Sequence, residues 1–103
     1  MVKFTRAVAQ RMLGNVPQDK QFWCSDGRVL KSLPELEVAL REMSEETFRN
    51  HSSEVKSDFS IWVNDVIGDE KLANDLRKST TRAQAAKNVA SRIGWLRGKM
   101  SSG

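Results

Sequence analysis

The side chains with the most chemical promise sit in one stretch, HSSEVKSDFSIWVND, residues 51–65. His51 stands at the end of one expected helical segment and Asp58 at the start of the next. A loop 52–57 that folds back brings the imidazole N–H to the Asp58 carboxylate. An aspartate that orients a histidine can make it a general base. A nucleophile must then stand nearby. Cys24 or a serine qualifies by type, and nothing in the spacing selects one. A metal centre needs three or four ligands. His51, Asp58 and Asp65 are the one plausible set, and they follow no recognised ligand spacing. The preferred reading is structural. Asp58 caps its helix, and His51 closes the joint over Trp62 as a half-buried, hydrogen-bonded histidine. Cys24 reads as a small buried hydrophobe, because no basic activator adjoins it in sequence. No catalytic residue, metal ligand or cofactor is assigned.

The second candidate lies on the last helix. At about 100° per residue, Ala86, Val89, Ile93, Leu96 and Met100 share a core-facing stripe. Ala83, Ala90 and Gly94 form an adjacent seam of small residues. That seam suits close packing within the chain, which is preferred over pairing of two copies. Asn88, Arg92, Trp95 and Lys99 fall together on the opposite side. Trp and Arg are enriched in binding hot spots, and they also stack on bases beside phosphate-binding cations. The competing structural reading is a Trp95 folded over its own neighbours or over the N-terminal helix.

Counts bound the function classes. The chain has 103 residues, with 17 Lys+Arg against 13 Asp+Glu, for a net charge of +4. One cysteine excludes an internal disulfide and a Cys-rich zinc site, and one histidine excludes a multi-His site. No apolar run nears the roughly 18 residues of a membrane span. The charge is segregated. Residues 1–18 carry +3 with no acid, residues 19–76 carry −6, and residues 77–103 carry +7 with no acid. Either the basic ends fold back and neutralise the middle, or they form a patch for phosphates or an acidic partner. The acid-free start has no apolar core of a secretory signal, and a reducing cytoplasm is the expected setting.

The elements that must position these groups are mostly helical. Residues 3–13 read as a helix ended by Gly14, Asn15 and Pro17, with Gly14 suited to a left-handed cap. In QFWCSDGRVLK, residues 21–31, Asp26-Gly27 signals a two-residue hairpin turn that pairs Cys24 with Val29 and Trp23 with Leu30. Ser32 with Glu35 and Thr81 with Gln84 form capping boxes. Ser44 opens a short helix that buries Phe48, and Ser57 or Asp58 opens one carrying Phe59, Trp62, Val63, Val66 and Ile67. Gly68 stops that helix, and Asp69 starts the next, with Leu72, Ala73 and Leu76 inward. The last helix runs to about residue 97, and 101–103 is a loose tail. The expected fold is mainly α: one domain over 1–100, a compact bundle of five or six short helices with one small β-hairpin.

The order of an aromatic strand ending in Asp26-Gly27, then Ser32-Leu33 and a helix holding Leu36 and Leu40, then Phe48-x-x-His51, Asp58-Phe59-x-x-Trp62, Gly68-Asp69 and Leu72-Ala73 resembles a family of small, mostly archaeal domains of unknown function. The resemblance spans about residues 21–78 and leaves both basic ends outside. It implies a helical cytoplasmic domain with no established activity, and it makes His51, Asp58 and Trp62 a shared constellation. Three functions follow in order of preference. The first is a non-enzymatic adaptor that binds an acidic protein partner through the last helix as a monomer, with no membrane contact. The second is a nucleic-acid-associated protein using the same surface. The third is a small enzyme centred on His51 and Asp58.

Overall fold

The computed structural model describes residues 5–53 and 55–101. The expected helix start at Lys3 and residues 102–103 of the expected tail lie outside them, whereas the last helix runs to Ser101, past its expected end near residue 97. Among the described residues there are six α-helices and one two-stranded antiparallel hairpin, as the mainly-α reading expects. In chain order these are α1 (Arg6–Leu13), β1 (Phe22–Trp23), β2 (Val29–Leu30), α2 (Leu33–Glu42), α3 (Glu45–His51), α4 (Asp58–Trp62), α5 (Glu70–Lys78) and α6 (Arg82–Ser101). A short 3₁₀ turn, Gln18–Lys20, precedes β1.

Side-chain caps set the helix starts. Thr5, Ser32, Ser44, Ser57 and Asp69 each accept a hydrogen bond from the N–H three residues on. Ser57 is the cap of α4, which leaves the Asp58 carboxylate available for other partners. Both capping boxes form in a shifted way. Glu35 Oε1 accepts from the Lys31 N–H (3.0 Å), and Gln84 Oε1 accepts from the Thr80 N–H (2.9 Å). Each returning side chain reaches one residue ahead of its cap.

Three local expectations are corrected. Gly14 ends α1 in an extended conformation, φ −81°, rather than left-handed. The helix that carries Trp62 widens after Trp62 into one π turn, Val63–Ile67. The Gly68 N–H then closes it on the Val63 carbonyl (2.8 Å) with Gly68 in the left-handed region, φ 84°. The hairpin pairs Phe22 with Leu30 and Trp23 with Val29, one residue off the expected register. The loop has three residues, not two. The Gly27 N–H bonds to the Cys24 carbonyl (3.0 Å), the Cys24 N–H to Arg28 (2.8 Å), and Gly27 takes the left-handed position at φ 96°. A one-residue slip exchanges the faces. Phe22 and Leu30 point into the core, and Trp23 points out.

The core is one cluster drawn from every helix and from the hairpin's inner face. Leu33, Leu36, Ala39 and Leu40 of α2 are buried against α6, and Phe22, Phe48, Phe59 and Trp62 form an aromatic group at one end. Each fully buried Leu or Phe contributes about 1.5–3 kcal/mol by leaving water. The long helix α6 packs on three neighbours, α1, α2 and α5.

Candidate functional site

His51 and Asp58 do meet. An antiparallel bridge between Ser52 and Ser57 folds the loop back, and His51 Nδ1 lies 3.1 Å from Asp58 Oδ2. The other ring nitrogen, Nε2, accepts a hydrogen bond from the Ser25 N–H at 2.9 Å. An acceptor Nε2 puts the proton of the neutral ring on Nδ1, which therefore donates to Asp58. Lys56 Nζ stands 3.6 Å from the other Asp58 oxygen.

This resembles the Asp–His half of a catalytic relay until Nε2 is considered. A general base needs that lone pair for its substrate or nucleophile. Here a backbone amide of the hairpin loop occupies it. The ring packs edge-on to Phe22 (5.2 Å between centroids) and tilted on Phe59 (5.5 Å). The rings beneath His51 are thus Phe22 and Phe59, where the sequence reading put Trp62. Trp62 is buried and acts on the same joint from another side: its Nε1–H donates to the Lys20 carbonyl at 2.8 Å. Two side chains from the helices pin the chain on either side of β1.

Cys24 lies inside the hairpin and is buried. Burial pushes its thiol above the ordinary range, and contact with the Asp26 side chain adds to the rise. For Asp26 itself, burial acts upward, but hydrogen bonds from the Arg28 N–H, Cys24 and the Arg28 guanidinium outweigh it and hold the carboxyl below its usual range. A raised thiol keeps its proton, so it is a poor nucleophile near neutral pH. Iodoacetamide at neutral pH is expected to alkylate Cys24 in the native protein at least about tenfold more slowly than in the unfolded chain, followed by mass spectrometry. The linked effect on stability has a definite sign. The folded state holds this proton more tightly, so the contribution is intact below the ordinary thiol range and stability falls as pH rises through it.

Asp65 does not join His51 and Asp58. It accepts a hydrogen bond from Asn64 Nδ2 (3.1 Å) on the exposed side of the π turn. Among the described residues, no group of three or more His, Cys, Asp or Glu side chains could hold a metal ion. Nor is any helix among them long and apolar enough to cross a membrane.

The four residues singled out on α6 separate. Arg92 is 8% exposed, and its guanidinium forms a two-pronged pair with Asp69, Nε to Oδ2 at 2.7 Å and Nη2 to Oδ1 at 3.0 Å. Asn88 Nδ2 donates to Ser79 Oγ at 2.8 Å. Both are therefore turned toward α5, not toward solvent. A helix with three packed neighbours buries a wider arc than one stripe, and α5 covers the arc that a two-sided wheel assigns to water. Trp95 is 41% exposed and sits at the edge of this contact, with the Arg92 guanidinium 4.3 Å and Lys99 Nζ 5.0 Å from its ring centre.

The outward side of α6 is instead the seam. Ala83, Lys87, Ala90, Gly94, Arg97 and Gly98 are all exposed, so the expected packing of Ala83, Ala90 and Gly94 within the chain does not occur. Packing of α1 on α6 brings the two acid-free ends together, and Arg6 Nε donates to the Met100 carbonyl at their junction (2.9 Å). Neutralisation by the acidic middle is partial. Arg92 pairs with Asp69 and Arg82 with Glu45 (2.9 Å). Arg6, Arg11, Arg77, Lys78, Lys87 and Arg97 have no carboxylate within 4 Å among the described residues.

The sequence reading missed Trp23. It is 72% exposed, beside Val29 on the outer hairpin face, and near a shallow apolar cleft formed by Val29, Pro34 and Val38. Its outward direction follows from strand alternation once the loop is given three residues. No family model matches the chain, no curated protein matches it and no solved structure matches it.

Proposed function

We propose that the chain is a non-enzymatic binding module that takes an acidic helix of a protein partner on the outward face of α6, with α1 beside it. The observation that supports this reading is the acid-free layer of α1 and α6, whose exposed cations are largely uncompensated. Such a layer attracts and orients acidic partners. The glycines add a second support. Each glycine inside a helix costs about 1 kcal/mol relative to alanine. A Cβ at Gly94 or Gly98 would meet nothing within 4 Å, so packing inside the described chain does not call for them. A close-approaching partner backbone does call for them. The occupied lone pair of His51 supports the non-enzymatic part of the reading. In this reading the chain acts as a cytoplasmic monomer, and the order His51, Asp58-Phe59, Trp62, Gly68-Asp69 aligns it with small archaeal domains of unknown function.

Nucleic acid is the second reading, favoured by the same cations. Arg92 and Lys99 already stand over the Trp95 ring, which weighs against Trp95 as a stacking platform for bases. Fluorescence anisotropy decides between them, with a labelled Glu-rich amphipathic peptide of about 20 residues and a labelled DNA duplex as probes. The peptide is expected to bind, and Lys87→Glu with Arg97→Glu is expected to weaken it at least about tenfold. Unchanged peptide affinity in that variant overturns the proposal. So does preference for the duplex with a steep loss of affinity as salt rises.

A further inference from the structure

A second surface, apart from the α1/α6 layer, carries its own chemistry. A cleft of about 610 Å³ opens where the ends of α3 and α5 meet the start of α6. Arg49 from α3 and Arg77 from α5 line it. Neither has a carboxylate within 4 Å among the described residues; Arg77 touches only the Asn74 side-chain oxygen. Hydroxyls complete the wall. Ser52 Oγ has no hydrogen-bond partner among the described residues. Thr81 Oγ1 accepts from the Gln84 N–H, which leaves its own O–H to donate. One carboxylate, Glu45, borders the cleft, and it is already engaged by Arg82 Nε at 2.9 Å. Phe48 is the apolar side chain in the lining.

Guanidinium groups only donate, and each hydroxyl has an O–H that can donate as well. Arg49 and Arg77 put two positive charges on the wall of one cleft, and an anion bound there would offset both. Planar guanidinium donors match the tetrahedral oxygens of phosphate two at a time, which a simple surface cation does not do. The first turn of α6 begins at Arg82, beside Thr81, and its partial positive charge acts in the same direction. The volume exceeds that of a bare phosphate and falls in the range of small-molecule sites, about 300–1,000 Å³.

We propose that this cleft binds a phosphate group, free or as the monoester of a small organic molecule, between Arg49 and Arg77. The ligand's oxygens take the guanidinium donors and the hydroxyls of Ser52 and Thr81. This site does not depend on the binding reading for α6, since neither Lys87 nor Arg97 lines it.

The test is a titration of the full chain, in phosphate-free buffer at fixed ionic strength, with inorganic phosphate and with phenyl phosphate. Backbone amide NMR shifts are the readout. Saturable shifts are expected at Ser52, Thr80 and Thr81, with none at Lys87 or Arg97. Arg49→Gln and Arg77→Gln are each expected to weaken binding at least about tenfold at an unchanged melting temperature. Arg49→Lys is expected to recover part of that affinity, because it restores charge without the paired donors. Tighter binding of phenyl phosphate assigns the site to esters, and equal binding assigns it to free phosphate. Shifts reproduced by equimolar chloride, shifts spread along α6, or full affinity in Arg49→Gln overturn the proposal.

Discussion

Asp69→Ala is expected to destabilise the protein by about 3–5 kcal/mol, read as the loss of unfolding free energy in a urea titration. Asp69 is 1% exposed and does two jobs. Its Oδ1 caps α5 through the Leu72 N–H (3.2 Å), and both of its oxygens receive the Arg92 guanidinium. Alanine removes the cap, worth about 1 kcal/mol. It also leaves a guanidinium that is 8% exposed without its carboxylate, which is the larger cost. Arg92→Met makes the converse error by stranding the carboxylate, and a loss of similar size is expected. The pair Asp69→Asn with Arg92→Met keeps a capping oxygen and removes both charges. With Asp69→Asn and Arg92→Met as the single variants of the cycle, the double is expected to lose about 1–3 kcal/mol less than the two single losses add up to. Additive losses would show that Arg92 and Asp69 stabilise the fold separately.

This pair changes what Arg92 can do. An arginine held on a buried carboxylate is a structural strut between α5 and α6. It also carries Trp95, whose ring lies against the guanidinium. A binding role on α6 therefore falls to the cations that face outward, Lys87 and Arg97, with Trp95 at the margin. Variants of Arg92 would confuse lost folding with lost binding, and for this reason they do not serve as binding tests.

Local signals were legible in the sequence wherever chemistry acts over three or four residues. Ser32, Ser44 and Asp69 cap the helices they were expected to cap, and Gly68 stops its helix in the left-handed conformation. Legibility failed where the answer depends on distant parts of the chain. Asp26-Gly27 marks a turn, but two-residue and three-residue loops share that signal, and the choice decides whether Trp23 faces core or solvent. A helical wheel gives directions and not the number of neighbours. Three neighbours around α6 turned Asn88 and Arg92 inward and left Ala83, Ala90 and Gly94 outside. The π turn after Trp62 breaks the 3.6-residue period, so Val66 is only partly buried while Val63 and Ile67 are buried. The Arg49–Arg77 cleft draws residues from three elements far apart in sequence, and no spacing rule joins them.

His51→Ala is expected to cost about 2–3 kcal/mol of stability, measured by the same urea titration. The ring packs against Phe22 and Phe59, and losing it leaves a void beside two core aromatics. Its two hydrogen bonds, to Asp58 and from the Ser25 N–H, join three separate segments: α3, α4 and the hairpin loop. Their loss adds about 1 kcal/mol each at most, since Ser25 is exposed and water replaces part of the contact. A His51→Gln side chain is long enough to present an oxygen near the Nε2 position. It is expected to keep the Ser25 contact and to cost less than alanine, whereas Asp58→Asn, which removes only the charge on the far side, is expected to cost the least. Amide hydrogen exchange at Ser25 is the specific readout. Protection is expected to fall in His51→Ala, to persist in His51→Gln, and to change little in Asp58→Asn. That order ties the histidine to the hairpin through Nε2. An unchanged melting curve with full Ser25 protection in His51→Ala would free the lone pair from its structural duty and return His51 to the list of candidate bases.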